Sequence, residues 1–291
     1  MDRRTNSIVL ALALAVTACG SSKHSGATPA TSSLPPAPSA ASTAATTTST
    51  SVPPAPTAPG EPGAIVAVTT DQRVVAISPS TGEILRTLVP AQPGGGPSQL
   101  AMSPDHHTVW FSRGQSSCAA ALATVPLAGG PENKIAGTGS NQADTLPALD
   151  PSGRLVAFSR YQCAANAYQV AVAPVTNAAQ PVRTMAGVQA AGLAWSPDSA
   201  LLAVGSASRD HLQLVSVSKT GVQKSLTAPD AGCGIDHPIF ESAAPVLLVA
   251  ESCQGSGKII ELDPASGSLH RTVVSLGPVT VASGFALDVS G

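Results

Sequence analysis

The side chains able to do chemistry are few in this chain and are spread along it. Asp105-His106-His107 could ligate a metal ion, and Asp236-His237, close to Cys233, could act as ligands or as an acid–base pair. Gly255-Ser256-Gly257-Lys258 has part of a phosphate-binding loop, but the first glycine and the hydroxyl residue after the lysine are missing. No GxSxG nucleophile motif is present. These residues predict no catalytic site, metal or cofactor, and they favour a protein that is not an enzyme.

A repeat of 46 or 47 residues determines where these side chains must lie. Each copy has an apolar stretch, a tight turn and a second apolar stretch, and Pro104, Pro151 and Pro197 occupy the turn of three successive copies. Proline suits the second position of a type I turn. A period of about 40 to 50 residues is typical of β-propeller blades. The repeat therefore predicts an all-β propeller.

Each repeat divides into four short β-type runs. In the second repeat these are Ser98–Met102, Thr108–Ser112, Ala121–Val125 and Lys134-Ile135. The second run is unbroken apolar, as in Leu155–Phe158, which is typical of a strand covered on both faces. The outer run carries a cation that we expect to be solvated, discouraging pairing with other chains. These cations are Arg86, Arg183, Lys224 and Arg271.

The two ends of the repeat region complement each other. The last apolar run, Phe285–Leu287, reads as an innermost strand, whereas the first run, Ala64–Val68, reads as a second strand without a first. We therefore predict that the C-terminal strand completes a blade with the three N-terminal strands. That arrangement has five four-stranded blades, and closing the ring removes exposed edges. A truncated six-bladed chain is the alternative.

The four cysteines beyond residue 19 predict two disulfide bonds. Cys118 and Cys163 follow FSRGQSS and FSRYQ, which are the same loop in adjacent repeats. Cys233 and Cys253 flank a hairpin ten residues to either side of Ala243, and antiparallel pairing would bring them together. We predict the pairs Cys118–Cys163 and Cys233–Cys253. A zinc site is the alternative, but the CxxC spacing is absent.

The cysteine-bearing loops share one face of a propeller, and that face is the predicted binding surface. Binding residues are commonly held on loops by a rigid scaffold. Its charged and aromatic candidates are Arg113, Arg160, Tyr161, Asp210, His211, Asp236, His237 and Glu251. The alternative for each of them is a solvated loop position.

The N-terminal segment predicts export and anchoring. Arg3 and Arg4 precede the short apolar run Ile8–Val16. The following Val16-Thr17-Ala18-Cys19 resembles a bacterial lipoprotein signal. The resemblance implies that residues 1–18 are removed and that Cys19 is acylated, with palmitate among the acyl groups. An ordinary secretory signal is the alternative. Residues 19–62 are rich in Ser, Thr, Pro and Ala and predict a disordered tether, so the folded domain is residues 63–291.

Several motifs of residues 63–291 resemble TolB-like and YVTN-type β-propeller repeats. The TolB-like part is the SPD or DPSG turn before a VAFS-type strand, and the YVTN-like part is the pair of hairpins SPSTGEILRTL and DPASGSLHRTV. The resemblance implies the propeller fold and says little about function.

Composition excludes some partners and leaves others open. A net charge of −2 provides no basic field for nucleic acid. We therefore expect a monomeric, extracytoplasmic lipoprotein anchored to the cell membrane, whose propeller is a non-catalytic binding or scaffold module. Its partner would be an envelope protein or a wall or small-molecule ligand. The alternatives are a lactonase-like propeller hydrolase, which would need metal ligands around the channel, and a structural accessory subunit of an envelope complex.

Overall fold

A computed structural model describes residues 64–92, 95–114, 118–219, 222–241, 246–254 and 256–276. Within these ranges the fold is all-β, and 19 strands form five antiparallel sheets. No helix in this part of the chain is long and apolar enough to cross a bilayer. The predicted signal peptide, Cys19, the tether and Phe285–Leu287 lie outside the described residues.

The five sheets are called blades 1 to 5 in chain order. Blade 1 contains β1 (Ile65–Val68), β2 (Val74–Ile77) and β3 (Ile84–Val89). Blade 2 contains β4 (Pro97–Met102), β5 (Thr108–Arg113), β6 (Ala121–Pro126) and β7 (Asn133–Lys134). Blade 3 contains β8 (Gln142–Leu149), β9 (Leu155–Gln162), β10 (Ala167–Pro174) and β11 (Arg183–Ala186). Blade 4 contains β12 (Ala190–Trp195), β13 (Leu201–Ser206), β14 (Leu212–Ser216) and β15 (Val222–Leu226). Blade 5 contains β16 (Gly234–Phe240), β17 (Leu247–Cys253), β18 (Ser256–Leu262) and β19 (Leu269–Ser275).

The blades are arranged as a five-bladed β-propeller, which confirms the predicted fold class. In blades 2 to 5 the strands pair in chain order, and the first strand is innermost, with β4 beside β8, β8 beside β12 and β12 beside β16. Blade 1 has three strands among the described residues, with β1 paired to β2. The predicted closure by Phe285–Leu287 remains a prediction, because those residues lie outside the described ranges.

Apolar side chains fill the space between each consecutive pair of blades. Phe111 is buried between blades 1 and 2, Phe158 between blades 2 and 3, Trp195 between blades 3 and 4, and Ile235 between blades 4 and 5. Full burial of one such side chain contributes about 1.5–3 kcal/mol. The unbroken apolar second strands therefore follow from packing on both faces.

The outer-strand cations were predicted to be solvated, and three of them, all partly exposed, also reach a backbone carbonyl of the next blade. Arg86 donates a hydrogen bond to the carbonyl of Ala128, and Arg183 to that of Ser216. Lys224 donates to the carbonyl of Ala265. In each case the acceptor is at or just after the end of the third strand of the next blade. The physical reason is reach, since a long side chain at a blade edge can satisfy a neighbouring loop carbonyl while its stem covers apolar surface.

Serine and aspartate hold the turns between first and second strands. In Ser103-Pro104-Asp105 the serine Oγ accepts a hydrogen bond from the backbone N–H of Thr108 at 2.9 Å. In Ser196-Pro197-Asp198 the serine Oγ accepts from the N–H of Leu201, also at 2.9 Å. The serine hydroxyl in turn donates to the aspartate, and this hydrogen bond lowers the pKa of Asp105 and of Asp198. The repeated SPD motif is therefore explained by local hydrogen bonding.

One position of these turns requires the left-handed conformation and provides a matched test. His106 has φ 59°, and its counterpart Gly153 has φ 68°. We expect His106→Gly to raise the free energy of unfolding by about 0.5–1 kcal/mol, because strain of about 1–2 kcal/mol is relieved at some entropic cost. We expect Gly153→Ala to lower it by about 1–2 kcal/mol. Urea unfolding checks both, and changes of the same sign would contradict this reading.

Candidate functional site

Both predicted disulfide bonds are present at one end of the propeller. Cys118–Cys163 joins the β5–β6 loop of blade 2 to the β9–β10 loop of blade 3, with Cα atoms 5.8 Å apart. Cys233–Cys253 joins the two ends of the β16–β17 hairpin, with Cα atoms 4.3 Å apart. This end, where the inner strands begin and the second strands finish, is called the disulfide face. The repeat register had predicted which cysteines meet.

Arg160 lies on the disulfide face but is buried in an ion pair. Its Nε donates to Asp144 Oδ1 at 2.6 Å, and the two side chains are 7% and 0% exposed. Asp144 also accepts from the backbone N–H of Gly139 at 3.0 Å and from Gln142 Nε2 at 2.9 Å. The guanidinium is therefore committed to the fold. Sequence reasoning missed Asp144, whose only signal is its position opposite Arg160 in the β8–β9 register.

Two other predicted face residues are also held in ion pairs. Arg113 makes a two-pronged contact with Glu132, with Nε–Oε1 and Nη2–Oε2 distances of 2.7 Å. Glu251 is 1% exposed, and its Oε2 lies 3.6 Å from Lys258 Nζ. Lys258 also bonds Asp230, and this hydrogen bond raises the pKa of Lys258. These charges stabilise the disulfide face from within.

One group of side chains with metal-ligand chemistry occurs in the described ranges. Ligand atoms of Asp230, Cys233, Glu251 and Cys253 lie within 4.8 Å of one another. Both sulfurs are joined in the disulfide bond, and a thiolate is the form of cysteine that binds metals. Lys258 already contacts both carboxylates. This group is therefore a structural cluster in which the ammonium group of Lys258 already balances the carboxylates.

The exposed part of the disulfide face is aromatic and polar. Tyr161 and Tyr168, the only two tyrosines of the chain, pack with ring centroids 4.7 Å apart on the β9–β10 hairpin. Tyr168 is 37% exposed, and Tyr161 Oη donates to Asn166 at 2.6 Å. Asp210 and His211 form an exposed pair at 2.7 Å in blade 4, and the Ser208 hydroxyl lowers the pKa of Asp210. These residues are available to a partner, unlike Arg160 and Glu251.

Asp236 and His237 belong to the inner strand β16, whereas loop positions were expected. The strand bulges between Asp236 and Ile239, and His237 takes φ 47°. Asp236 is fully buried, with Arg209 Nε 2.8 Å from Oδ2 and His237 Nδ1 2.9 Å from Oδ1. Neither contact has hydrogen-bond geometry, so both carboxylate oxygens and Nδ1 remain without a hydrogen bond. A strained, under-satisfied polar pair of this kind points to function.

The inner strands of blades 2 to 5 all bulge at equivalent places and surround a cavity of about 390 Å³. Gln99, Leu146, Ala191 and His237 line it from the four strands. Among the described residues of its wall, Gln99 and His237 have polar side chains, and none is a lysine, arginine, aspartate or glutamate. Bulges redirect side chains, and here they turn one residue per blade toward the central channel. This cavity was not predicted from the sequence.

Comparisons with known proteins identify the fold. No protein-family model matches the chain, and no curated protein matches it. A protein assigned as TolB from Agrobacterium tumefaciens is similar in structure, with TM-score 0.58 and 13% identity over 74% of this chain and 79% of that one. TolB from Acinetobacter baumannii has TM-score 0.57 and 12% identity, covering 75% of this chain and 53% of that one. A chain of the nidogen/laminin complex has TM-score 0.53 and 14% identity, covering 69% and 72%. At these identities the likeness shows the fold alone, and the chain is a β-propeller similar in structure to TolB.

Proposed function

We propose that this chain is a cell-envelope lipoprotein whose propeller binds a protein partner through the disulfide face, without catalysing a reaction. The observation that carries the proposal is the partly exposed tyrosine pair beside a disulfide bond that links two blades. Tyrosines supply large contact areas at low entropic cost and are enriched at binding hot spots. A disulfide-tied, ion-paired surface is also preorganised, which lowers the cost of binding.

The location follows from different features. The lipoprotein-type signal ending at Cys19 supports export and acylation, and two disulfide bonds are in keeping with an oxidising compartment. In this proposal residues 19–62 tether the domain, so that the disulfide face can reach a partner away from the membrane.

Site-specific photo-crosslinking in intact cells tests the binding surface. A photoreactive phenylalanine at Tyr168 is expected to give a discrete protein adduct. The matched control is the same group at Ala200, which is exposed in the turn between β12 and β13 at the opposite end of the propeller. Adducts at both positions, or none at Tyr168, would contradict the assigned surface.

Fatty-acid labelling tests the anchor separately. An alkyne fatty acid should label the wild-type chain, and Cys19→Ser should lose both the label and its place in the membrane fraction, because the thiol that is acylated is gone. Retention of the label in the variant would contradict lipidation at Cys19 and leave the partner surface untouched.

A further inference from the structure

We propose that the central cavity binds an amphipathic monocarboxylate, a molecule with one carboxylate and an apolar chain. This site is separate from the proposed partner surface, because it lies in the channel formed by the inner strands. Its volume of about 390 Å³ falls within the range of small-molecule pockets, about 300–1,000 Å³.

The apolar part of the ligand is indicated by the wall. Leu100, Leu146, Pro147, Leu193 and Ile239 contribute side chains from four strands. Such a wall binds hydrocarbon because apolar surface is removed from water on both sides of the contact, at about 25 cal/mol per Å². A polar molecule without an apolar chain would gain little from it.

Gln99 supplies the first head-group contact. Its Oε1 accepts hydrogen bonds from the N–H of Leu146 at 2.9 Å and from Ser112 Oγ at 3.2 Å. These two donors define the orientation of the amide, because only the oxygen can accept them. No described residue accepts a hydrogen bond from Nε2, so this donor remains for a ligand in the cavity.

His237 supplies the second contact. Its Nδ1 is buried beside the Asp236 carboxylate, and its side chain is 25% exposed. Nδ1 lies 2.9 Å from Asp236 Oδ1, so the Nε2 side of the ring is the part left to face a ligand in the cavity. The other charged group at this place is Arg209, which faces Asp236 and offsets its charge. The Gln99 donor, the His237 ring and the lack of carboxylates among the described wall residues favour an anionic oxygen ligand.

The backbone of β16 is strained at His237. His237 is in the left-handed region, which costs about 1–2 kcal/mol for a residue with a side chain. Gly192 of β12 makes room for it, since a Cβ there would lie 2.9 Å from His237 Cα and from Pro238 Cδ. Strain of this kind persists where the surroundings impose it and is concentrated at ligand sites.

Calorimetric titration of the wild-type chain with octanoate, octanol and octylammonium tests the proposal. The three probes share a chain and differ in the head group. We expect octanoate to bind at least about tenfold more tightly than octanol, a difference of about 1.4 kcal/mol, and octylammonium to bind most weakly. Equal affinity for octanoate and octanol, or no binding by any probe, would overturn the proposal.

Two variants locate the binding. Gln99→Glu keeps the oxygen that accepts from Leu146 and Ser112 but replaces the free donor with a negative charge. It should weaken octanoate by about tenfold or more and leave octanol unchanged. Ala191→Phe should fill the cavity and abolish binding of both, and thermal unfolding establishes that each variant is folded. Octanoate binding that survives Ala191→Phe in a folded protein would place the ligand elsewhere and sink the assignment.

Discussion

Replacing Asp144 with alanine is expected to lower the free energy of unfolding by about 3–5 kcal/mol. The substitution leaves Arg160 charged, 7% exposed and without the carboxylate that it contacts through Nε at 2.6 Å. A buried ion without its partner carries an uncompensated desolvation cost. Denaturant unfolding with linear extrapolation measures the change, and the slope should stay near that of the wild type.

Two control variants separate the effect of burial on stability from the effect of charge. The exposed pair Arg73–Asp71 has the same ion types at 2.7 Å, but its side chains are 34% and 55% exposed. Asp71→Ala should therefore change stability far less than Asp144→Ala does. The double variant Asp144→Leu with Arg160→Met removes both charges and should recover much of the loss. Similar losses for Asp144→Ala and Asp71→Ala would show that burial is not decisive.

Removing the Cys118–Cys163 bond by a double change to alanine is expected to cost about 4 kcal/mol, and removing Cys233–Cys253 about 3 kcal/mol. The order follows from the sequence separations of 45 and 20 residues, because a longer closed loop restricts the unfolded chain more. Thermal and denaturant unfolding under non-reducing conditions measure both.

Reduction provides the control for the disulfide series. Wild type treated with a dithiol reductant should match the variant lacking both bonds, since thiols in place of the bonds restore the unfolded-state freedom. The reverse order of losses, with Cys233–Cys253 the larger, would mean that native contacts near Glu251 and Lys258 dominate over loop length. Loss of the Cys118–Cys163 bond should disorder the Tyr161–Tyr168 surface, whereas loss of the Cys233–Cys253 bond should leave that surface ordered.

The two large effects bear on how the disulfide face works. Arg113, Arg160 and Glu251 were candidates for partner contact, and the structure uses all three in ion pairs. Substituting these residues would destabilise the fold. Loss of partner binding in such a variant would therefore not show that the residue contacts the partner. Tyr168 and His211 are better positions for that question, because their side chains are more accessible and less tied to the fold.

The strand pattern was accessible from the sequence because it is local. In blade 2 the first three predicted runs differ from β4, β5 and β6 by one residue at one end, and the fourth is displaced from β7 by one residue. The SPD turns depend on hydrogen bonds within five residues, as between Ser196 and Leu201. Even the disulfide pairing followed, since equal spacing in a repeat places Cys118 and Cys163 at matching loops.

The sequence alone determined the β-propeller, its blade order and the pairing of its cysteines, because repeat spacing and apolar patterning encode them directly. Only the tertiary structure decided which charges are buried, which cations reach the next blade, and which residues the inner-strand bulges turn into the cavity. The partners of Asp144, Arg183 and Gln99 come from segments 16, 33 and 47 residues away, through contacts that no local pattern records. Which side chains face the channel of a propeller depends on the strand register within each blade. Which of them come together depends on how the blades pack against one another.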